Sequence, residues 1–227
     1  MGDAVGQVLS PAIGVAISPI PLIAVILMLA TPKGRANGLA FTAGWIVALA
    51  AGVTLLVVVG AGGGADDGEG GKSAEWTYWI KLGIALLFLF LAVKQWRGRP
   101  KGDEEPQLPS WMRTIDRFTP ARSAGLAFVL AVVNPKNLAL VVAAGVSIAG
   151  AATDTGARVA AGAVFVAVAS LCTVVPLGLY LFGGAKAAQT LDGWKSWMAR
   201  HNGAIMAVLF LVLGVKSLGD AISGLTS

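Results

Sequence analysis

The sequence has little charge. Only 13% of its 227 residues are Asp, Glu, Lys or Arg, whereas about a quarter are charged in a typical soluble domain. Hydrophobic residues make up 56% of the chain, and the mean hydropathy is +0.76. The segments 4–32, 36–65 and 159–185 carry no charge at all, and each is longer than the ~20 residues that cross a bilayer core. This pattern excludes an ordinary soluble domain and predicts an integral membrane protein.

Cysteine and histidine are almost absent. Cys172 is the only cysteine, which excludes an intramolecular disulfide, and His201 is the only histidine. No carboxylate, histidine cluster or Ser/His pair converges within the hydrophobic segments. We therefore expect no enzyme activity, no metal site and no cofactor. The net charge of +5 does not indicate nucleic acid, because most basic residues flank hydrophobic segments, where they meet membrane lipid.

The hydrophobic segments predict an all-α integral membrane protein with six transmembrane helices. A cytoplasmic linker, residues 97–121, separates a first three-helix repeat (1–96) from a second (122–227), and the two repeats together form one membrane domain. In the linker, Trp111, Met112 and Ile115 have the spacing of an amphipathic helix lying at the membrane interface. The predicted membrane helices are 4–30, 36–62, 76–96, 122–150, 157–184 and 201–222.

The lysines and arginines are distributed unevenly between the two sides. Because loops rich in Lys and Arg face the cytoplasm, the loops 31–35, 94–122 and 185–201 are predicted to be cytoplasmic. Both termini are then extracytoplasmic. The expected location is a bacterial cytoplasmic membrane.

A weak internal repeat relates the two halves. Residues 87–94 read LFLFLAVK, and residues 209–216 read LFLVLGVK, in the predicted third and sixth helices. Three helices are an odd number, so the second copy must enter the membrane from the opposite side. Inverted repeats of this kind are typical of secondary transporters, whose sites lie near the midplane on discontinuous helices.

Two proline-containing motifs occupy matching positions in the first and fourth predicted helices. They are Ser18-Pro19-Ile20-Pro21 and Asn134-Pro135-Lys136-Asn137. Proline favours the first turn of a helix, and Ser or Asn favours the cap before it. We expect both helices to be broken at the midplane, with two half-helix N-termini that present partial positive charge and free N–H groups.

Lys136 lies deep in its hydrophobic segment, where a cation is costly and usually functional. No acidic residue is available in the predicted helices to neutralise it. An anionic ligand group (carboxylate, sulfate or phosphate) would suit this site, and a divalent metal would not. The predicted substrate-binding or transport residues are Lys136, Asn134, Pro135, Asn137, Ser18, Pro19 and Pro21, and the predicted coupling residues are Lys136 and His201.

The Asn-Pro-Lys sequence at 134–136, together with Pro19 and Pro21, resembles the lysine exporter (LysE) superfamily. The run Leu22–Leu29 and the long basic loop are more similar to its actinobacterial GAP family, the glycopeptidolipid- or sulfolipid-addressing proteins. The resemblance implies a six-helix exporter that moves a cell-envelope glycolipid, or a related anionic or amphipathic metabolite, towards the cell surface.

Two alternatives stay open on the sequence. One is an amino-acid exporter of the lysine exporter type, although Ile20 stands where that pattern has glycine. The other is a non-transporting membrane scaffold that recruits lipid-export machinery. The expected partners are membrane lipid and a small-molecule or glycolipid substrate, with a homo-oligomer and lipid-export machinery as further candidates and no nucleic acid.

Overall fold

The computed structural model of the protein describes residues 2–62, 72–99, 110–151 and 154–226. These ranges are helical throughout, apart from short turns. A 3₁₀ helix, Ser110–Arg117, precedes α5, and a π-helical turn, Val129–Val133, joins α5 to α6. The α-helices are α1 (Gly2–Ala16), α2 (Pro19–Leu29), α3 (Gly34–Gly62), α4 (Lys72–Arg97), α5 (Pro120–Phe128), α6 (Pro135–Ala151), α7 (Thr155–Ala169), α8 (Leu171–Phe182) and α9 (Ala187–Thr226).

Several of these helices are long and apolar enough to cross a membrane. Within the described residues, two single helical stretches qualify, Gly34–Val59 and Gly184–Thr226. Three further candidates are pairs of helices bent at a short break: α1 with α2, α5 and its π-turn with α6, and α7 with α8. If each bent pair is one span, the described residues hold up to five spans. The prediction of an all-helical membrane protein is therefore confirmed, whereas six spans remain a prediction.

α3 lies at the centre of the packing and contacts α5, α6, α7 and α8. Its small residues permit the closest approaches. A Cβ added at Gly44 would lie 2.9 Å from the Ala124 backbone, and one at Gly52 would lie 3.2 Å from Val132. Ala48, between them, is buried. The Gly44–Ala48–Gly52 stripe is thus a helix-packing face, as its small-xxx-small spacing indicates.

The amphipathic segment before α5 forms a helix, but its apolar side chains do not reach out to lipid. Met112 and Ile115 are buried, and the 3₁₀ helix contacts α2. Asn37 of α3 donates a hydrogen bond from Nδ2 to the Phe118 carbonyl at 3.1 Å. The 3₁₀ helix therefore packs Met112 and Ile115 against the protein, and its place at the membrane interface remains a prediction.

The last two predicted helices also differ from expectation. The predicted span 157–184 consists of two helices, α7 and α8, which meet at an angle of 56°. The predicted helix 201–222 is the second half of one helix of 40 residues, α9, which also contains the tryptophan-rich segment before it. Lys195 and Asp192 form an ion pair on that first half, the i,i+3 spacing that supports a continuous helix.

The chain divides into two compact units. The first contains α1 to α3, the 3₁₀ helix, α5 to α8 and α9 as far as Ala199. Its interior lies where α1 packs on α6 and α7, and where α2 packs on α8. The second contains α4 and the part of α9 from Arg200 onwards, where Phe88 and Phe210 stack with ring centroids 5.7 Å apart.

Candidate functional site at two helix breaks

The first break separates α1 from α2 at Ile17 and Ser18. The two helices are bent by 53°, and α2 begins at Pro19. Ser18 has extended backbone angles, φ −68° and ψ 113°, the conformation expected before a proline at the first helical position. The predicted start of a half-helix near Pro19 is confirmed.

The second break separates the π-turn from α6 at Asn134. The bend is 64°, α6 begins at Pro135, and Asn134 has φ −61° and ψ 120°. Asn134 Oδ1 accepts a hydrogen bond of 3.1 Å from the Lys136 amide, and the Asn134 carbonyl accepts the first bond of α6 from the Leu138 amide. Asn134 therefore caps α6 with its side chain, as the sequence predicts.

The two breaks meet in a buried polar cluster formed by Ser18, Lys136 and Asn137. Lys136 Nζ donates a hydrogen bond to Ser18 Oγ, and Ser18 Oγ donates to Asn137 Oδ1 at 3.1 Å. The exposed fractions of the three residues are 3%, 5% and 0%. Residues more than a hundred positions apart in the chain are thus joined at the point where both helices are interrupted.

Asn137 also supplies a hydrogen-bond donor that the backbone lacks at the second break. Its Nδ2 donates to the Leu130 carbonyl at 2.7 Å. In the π-turn an amide bonds to the carbonyl five residues before it, as the Asn134 amide does to Val129. The Leu130 carbonyl would then need the amide of residue 135, and proline has none. The Asn137 side chain supplies the missing donor, so the proline and the asparagine act as a unit.

Ser18 differs from the expected cap. Its side chain makes no capping bond to the backbone of α2, because its hydroxyl is engaged by Lys136 and Asn137. Pro19 and Pro21 remove two of the first backbone N–H groups of α2. The N-terminus of α2 therefore has fewer free N–H donors than expected. It contributes a helix dipole and the hydroxyl of Ser18.

The remaining predicted site residues occupy different positions. Pro19 and Pro21 are buried in the first turn of α2. Asn134 is half-buried and Pro135 is exposed, so Pro135 shapes the break without lining the polar cluster. His201 is half-buried in α9 and belongs to the second compact unit.

A third break, which the sequence analysis missed, lies at Ser170 between α7 and α8. The Thr173 amide bonds to the Ser170 carbonyl, which leaves the Ala169 carbonyl outside the helical ladder. Trp45 Nε1 of α3 donates to that carbonyl at 3.4 Å. A proline usually marks an irregularity in a helix, but the break lies upstream of Pro176, and α8 runs through this proline. Cys172 Sγ also donates to the Ala169 carbonyl, at 3.5 Å, so that one residue of α3 and one of α8 satisfy it.

The polar cluster contains a cation, Lys136, and none of the described carboxylates belongs to the cluster. Asp154 caps α7, Asp192 pairs with Lys195, and Asp116 is exposed on the 3₁₀ helix. The described hydrogen-bond partner of the Lys136 ammonium is the Ser18 hydroxyl. A buried ammonium beside the N-terminus of α6 is an arrangement that can hold a carboxylate, sulfate or phosphate group.

Comparison with known proteins assigns the chain to a family. The family model described as Sap, sulfolipid-1-addressing protein, matches residues 8–223. The chain belongs to this family of sulfolipid-1-addressing proteins. The match extends from α1 into α9, and it therefore includes Ser18, Lys136 and Asn137. No curated protein and no solved structure matches the chain.

Membership in the sulfolipid-1-addressing family confirms the resemblance to GAP-type proteins predicted from the sequence. It links this helical membrane protein to lipid export. The wider relationship to lysine exporters, which rests on the Asn-Pro-Lys and Pro-x-Pro elements, stays a prediction.

Proposed function

We propose that the protein is a membrane exporter that moves a cell-envelope glycolipid, or a related anionic amphipathic metabolite, towards the cell surface. It does so as a secondary transporter, by alternating access around the cluster of Ser18, Lys136 and Asn137. Lys136 attracts the anionic part of the substrate, and no catalytic step is involved. Family membership supports the lipid cargo.

One observation carries the proposal: two proline-interrupted spans meet at their breaks around a buried lysine. Non-helical backbone at membrane depth is tolerated only where it is enclosed in protein or lines a wet cavity. An intramembrane cation is costly unless it serves a function. The coincidence of both features at one point favours a substrate site over a structural irregularity.

The second compact unit supports the proposal of two inverted three-helix repeats. The matching segments 87–94 and 209–216 pack on each other, and the equivalent residues Phe88 and Phe210 are stacked. A Cβ added at Gly214 would lie 2.9 Å from the Leu89 side chain. Equivalent residues are expected to touch where they lie beside a two-fold pseudo-axis. Six spans follow from this proposal, with α4 as the third and the apolar part of α9 as the sixth.

The distribution of basic residues supports a cytoplasmic membrane location with both termini outside. In this orientation the end of α3 and the start of α7 face outwards, and the 3₁₀ helix faces the cytoplasm. A homo-oligomer and lipid-export machinery are proposed partners.

Labelling of single cysteines tests the proposed orientation. The cysteines are introduced at Ser110 and Thr155 in a Cys172→Ser background. A membrane-impermeant reagent should modify only position 155 in intact cells.

Comparative lipidomics and exometabolomics of a deletion strain test the proposed activity. The strain should accumulate an anionic envelope lipid inside and lose it from the cell surface, and the wild-type gene should reverse both changes. Accumulation of an amino acid with an unchanged lipid profile would contradict lipid export and favour the amino-acid exporter. Unchanged metabolites and lipids would contradict both.

Reconstitution separates an exporter from a scaffold. The lipid identified in the deletion strain is incorporated into proteoliposomes that contain only the purified chain. Its movement between leaflets should exceed that in protein-free liposomes. A rate equal to that of protein-free liposomes, with export lost in the deletion strain, would instead assign the protein the role of a scaffold for other export machinery.

A further inference from the structure

A long apolar cavity lies on the first compact unit, and its lining does not include the residues of the polar cluster. Its volume is about 930 Å³, and it runs between α3 on one side and α7 with the start of α8 on the other. Along α7 its lining extends from Thr155 to Ala167, which corresponds to about 18 Å of helix. One leaflet of a bilayer core is about 15 Å deep. The cavity is therefore as long as one leaflet is thick.

The two ends of the cavity differ chemically. Twelve of the sixteen described residues that line it are Ala, Val, Ile, Leu or Gly, and the other four are Thr54, Thr155, Arg158 and Ser170. Arg158, half-buried near the start of α7, is the charged residue among the described residues that line it. Trp45 of α3 bonds to Ala169 at the end of α7, and from there the lining extends towards Val58 on α3 and towards Arg158 on α7. The two helices therefore run antiparallel, with Val58 at the Arg158 end and Ile46 at the far end. The cation thus marks the end at the membrane surface.

The deep end carries a buried polar atom without a partner. Ser170 lines the cavity at the break between α7 and α8, is 3% exposed, and its Oγ has no hydrogen-bond partner among the described residues. Such atoms usually have a partner. α3, which lines the cavity, also packs on α6 and on the π-turn beside the polar cluster. The cavity and the proposed substrate site are thus connected through α3.

We propose that this cavity, the α3–α7 groove, holds an acyl chain of an anionic lipid, with the lipid's charged headgroup at Arg158. The occupant is the exported lipid itself, on its path from the polar cluster to the leaflet at the Arg158 end. This inference rests on the proposed function, and in the proposed orientation that leaflet is the outer one. An apolar groove one leaflet long, with a guanidinium at its headgroup end, matches a lipid in both shape and charge.

Gly162 offers a way to fill the groove without disturbing the fold. It lines the groove, and a Cβ added there would meet no atom within 4 Å. Gly178 in α8 has the same open space and the same intermediate exposure but does not line the groove. Gly162→Phe and Gly178→Phe are thus a matched test and control. Ala163, which is exposed in the groove, provides a second filling variant, Ala163→Phe, should Gly162→Phe lower the melting temperature.

The binding experiment uses the purified full chain and native mass spectrometry, with phosphatidylglycerol as the anionic probe and phosphatidylcholine of the same acyl chains for comparison. The chain should bind phosphatidylglycerol about tenfold more tightly, and Arg158→Gln should remove this preference. Gly162→Phe should weaken the binding of both lipids by about tenfold, whereas Gly178→Phe should change neither. Equal binding to all variants would overturn the proposal. So would a dimer that Gly162→Phe dissociates while lipid binding stays unchanged, because a second copy would then occupy the groove.

An export assay in the complemented deletion strain distinguishes a path for cargo from a resident lipid. Gly162→Phe should lower export at least severalfold, with Gly178→Phe at the wild-type level. Loss of lipid binding with full export would overturn the assignment to cargo. In a Lys136→Met background, Gly162→Phe should still weaken the binding of phosphatidylcholine about tenfold, so that failure of the groove and failure of the polar cluster give different results.

Discussion

The breaks at Ser18 and at Asn134 have similar geometry but different chemistry. Both are sharp bends before a proline, of 53° and 64°, and both end in a helix that starts at that proline. After the first break, α2 continues as Ile20, Pro21 and a buried apolar run. After the second, α6 continues as Lys136 and Asn137, which are buried and polar.

This difference assigns separate tasks to the two halves. The α6 end provides the cation, the capping amide and the asparagine that completes the π-turn. The α2 end provides one hydroxyl, which joins that cation to Asn137. In the proposed duplicated scaffold the site is thus asymmetric: the two breaks agree in backbone geometry and differ in the side chains that would face a substrate.

The largest expected effect is that of Lys136→Met. Removing the ammonium should lower export at least about tenfold, because an anionic group loses its partner in a desolvated site. The melting temperature should not fall, since replacing a buried charge by an apolar side chain of similar length is often neutral or stabilising. Export measured in the complemented deletion strain, and melting of the purified protein, check both expectations.

Lys195→Met is the matched control for this prediction. Lys195 pairs with the exposed Asp192 on α9, and exposed ion pairs contribute little to stability. Export should stay at the wild-type level. Equal export by the Lys136 and Lys195 variants would contradict the role given to Lys136 at the second break.

The sequence predicts the breaks well because their causes are local. Proline has a fixed φ and no amide hydrogen, so Pro19 and Pro135 determine where α2 and α6 begin. The depth of Lys136 also follows from the sequence, because the surrounding apolar residues fix its position in the span.

Features that depend on contacts between distant parts of the chain were predicted less well. At the Ser170 break, the Ala169 carbonyl accepts from Trp45 of α3, a contact that no residue near Ser170 predicts. The Ser18 hydroxyl accepts a hydrogen bond from Lys136 and does not cap α2, and the two residues are more than a hundred positions apart in the chain. Met112 and Ile115 have the pattern of a lipid-facing helix, and only the position of α2 shows that they are buried in protein.

Asn137 and Asn134 give the next comparison, now within one break. Asn137→Leu should lower the free energy of unfolding by about 2–3 kcal/mol, because it leaves the Leu130 carbonyl without a buried partner. Asn134→Leu should lower it by about 1 kcal/mol, the usual effect of a lost helix cap. Chemical denaturation in detergent measures both, and equal losses would contradict the role given to Asn137 in the π-turn.

Ser18→Ala tests the contribution of the first break. It removes the hydroxyl that accepts from Lys136 and donates to Asn137, and the expected loss of stability is about 1–2 kcal/mol. In an Asn137→Leu background the same change should cost less, because the two residues belong to one network. Additive losses in the double-mutant cycle would show that the two breaks are energetically independent.

The smallest effects are expected from the prolines themselves. Pro19→Ala should change stability by less than about 1 kcal/mol, because the backbone is already compatible with either residue. Pro135→Ala should make Asn137→Leu less harmful, since the new amide can donate to the Leu130 carbonyl. Denaturation of the single and double variants checks this, and an unchanged cost of Asn137→Leu would contradict the explanation of the π-turn.

Cross-linking between the two breaks tests the central claim most directly. Cysteines replace Ser18 and Asn137 in a Cys172→Ser background, and a short bifunctional thiol reagent is applied to the purified protein. The pair should cross-link within one chain, because the native side-chain oxygens lie 3.1 Å apart, whereas Ser18→Cys with Val146→Cys, an exposed position further along α6, should not. Cross-linking of the control pair but not of the Ser18–Asn137 pair would show that the breaks do not meet.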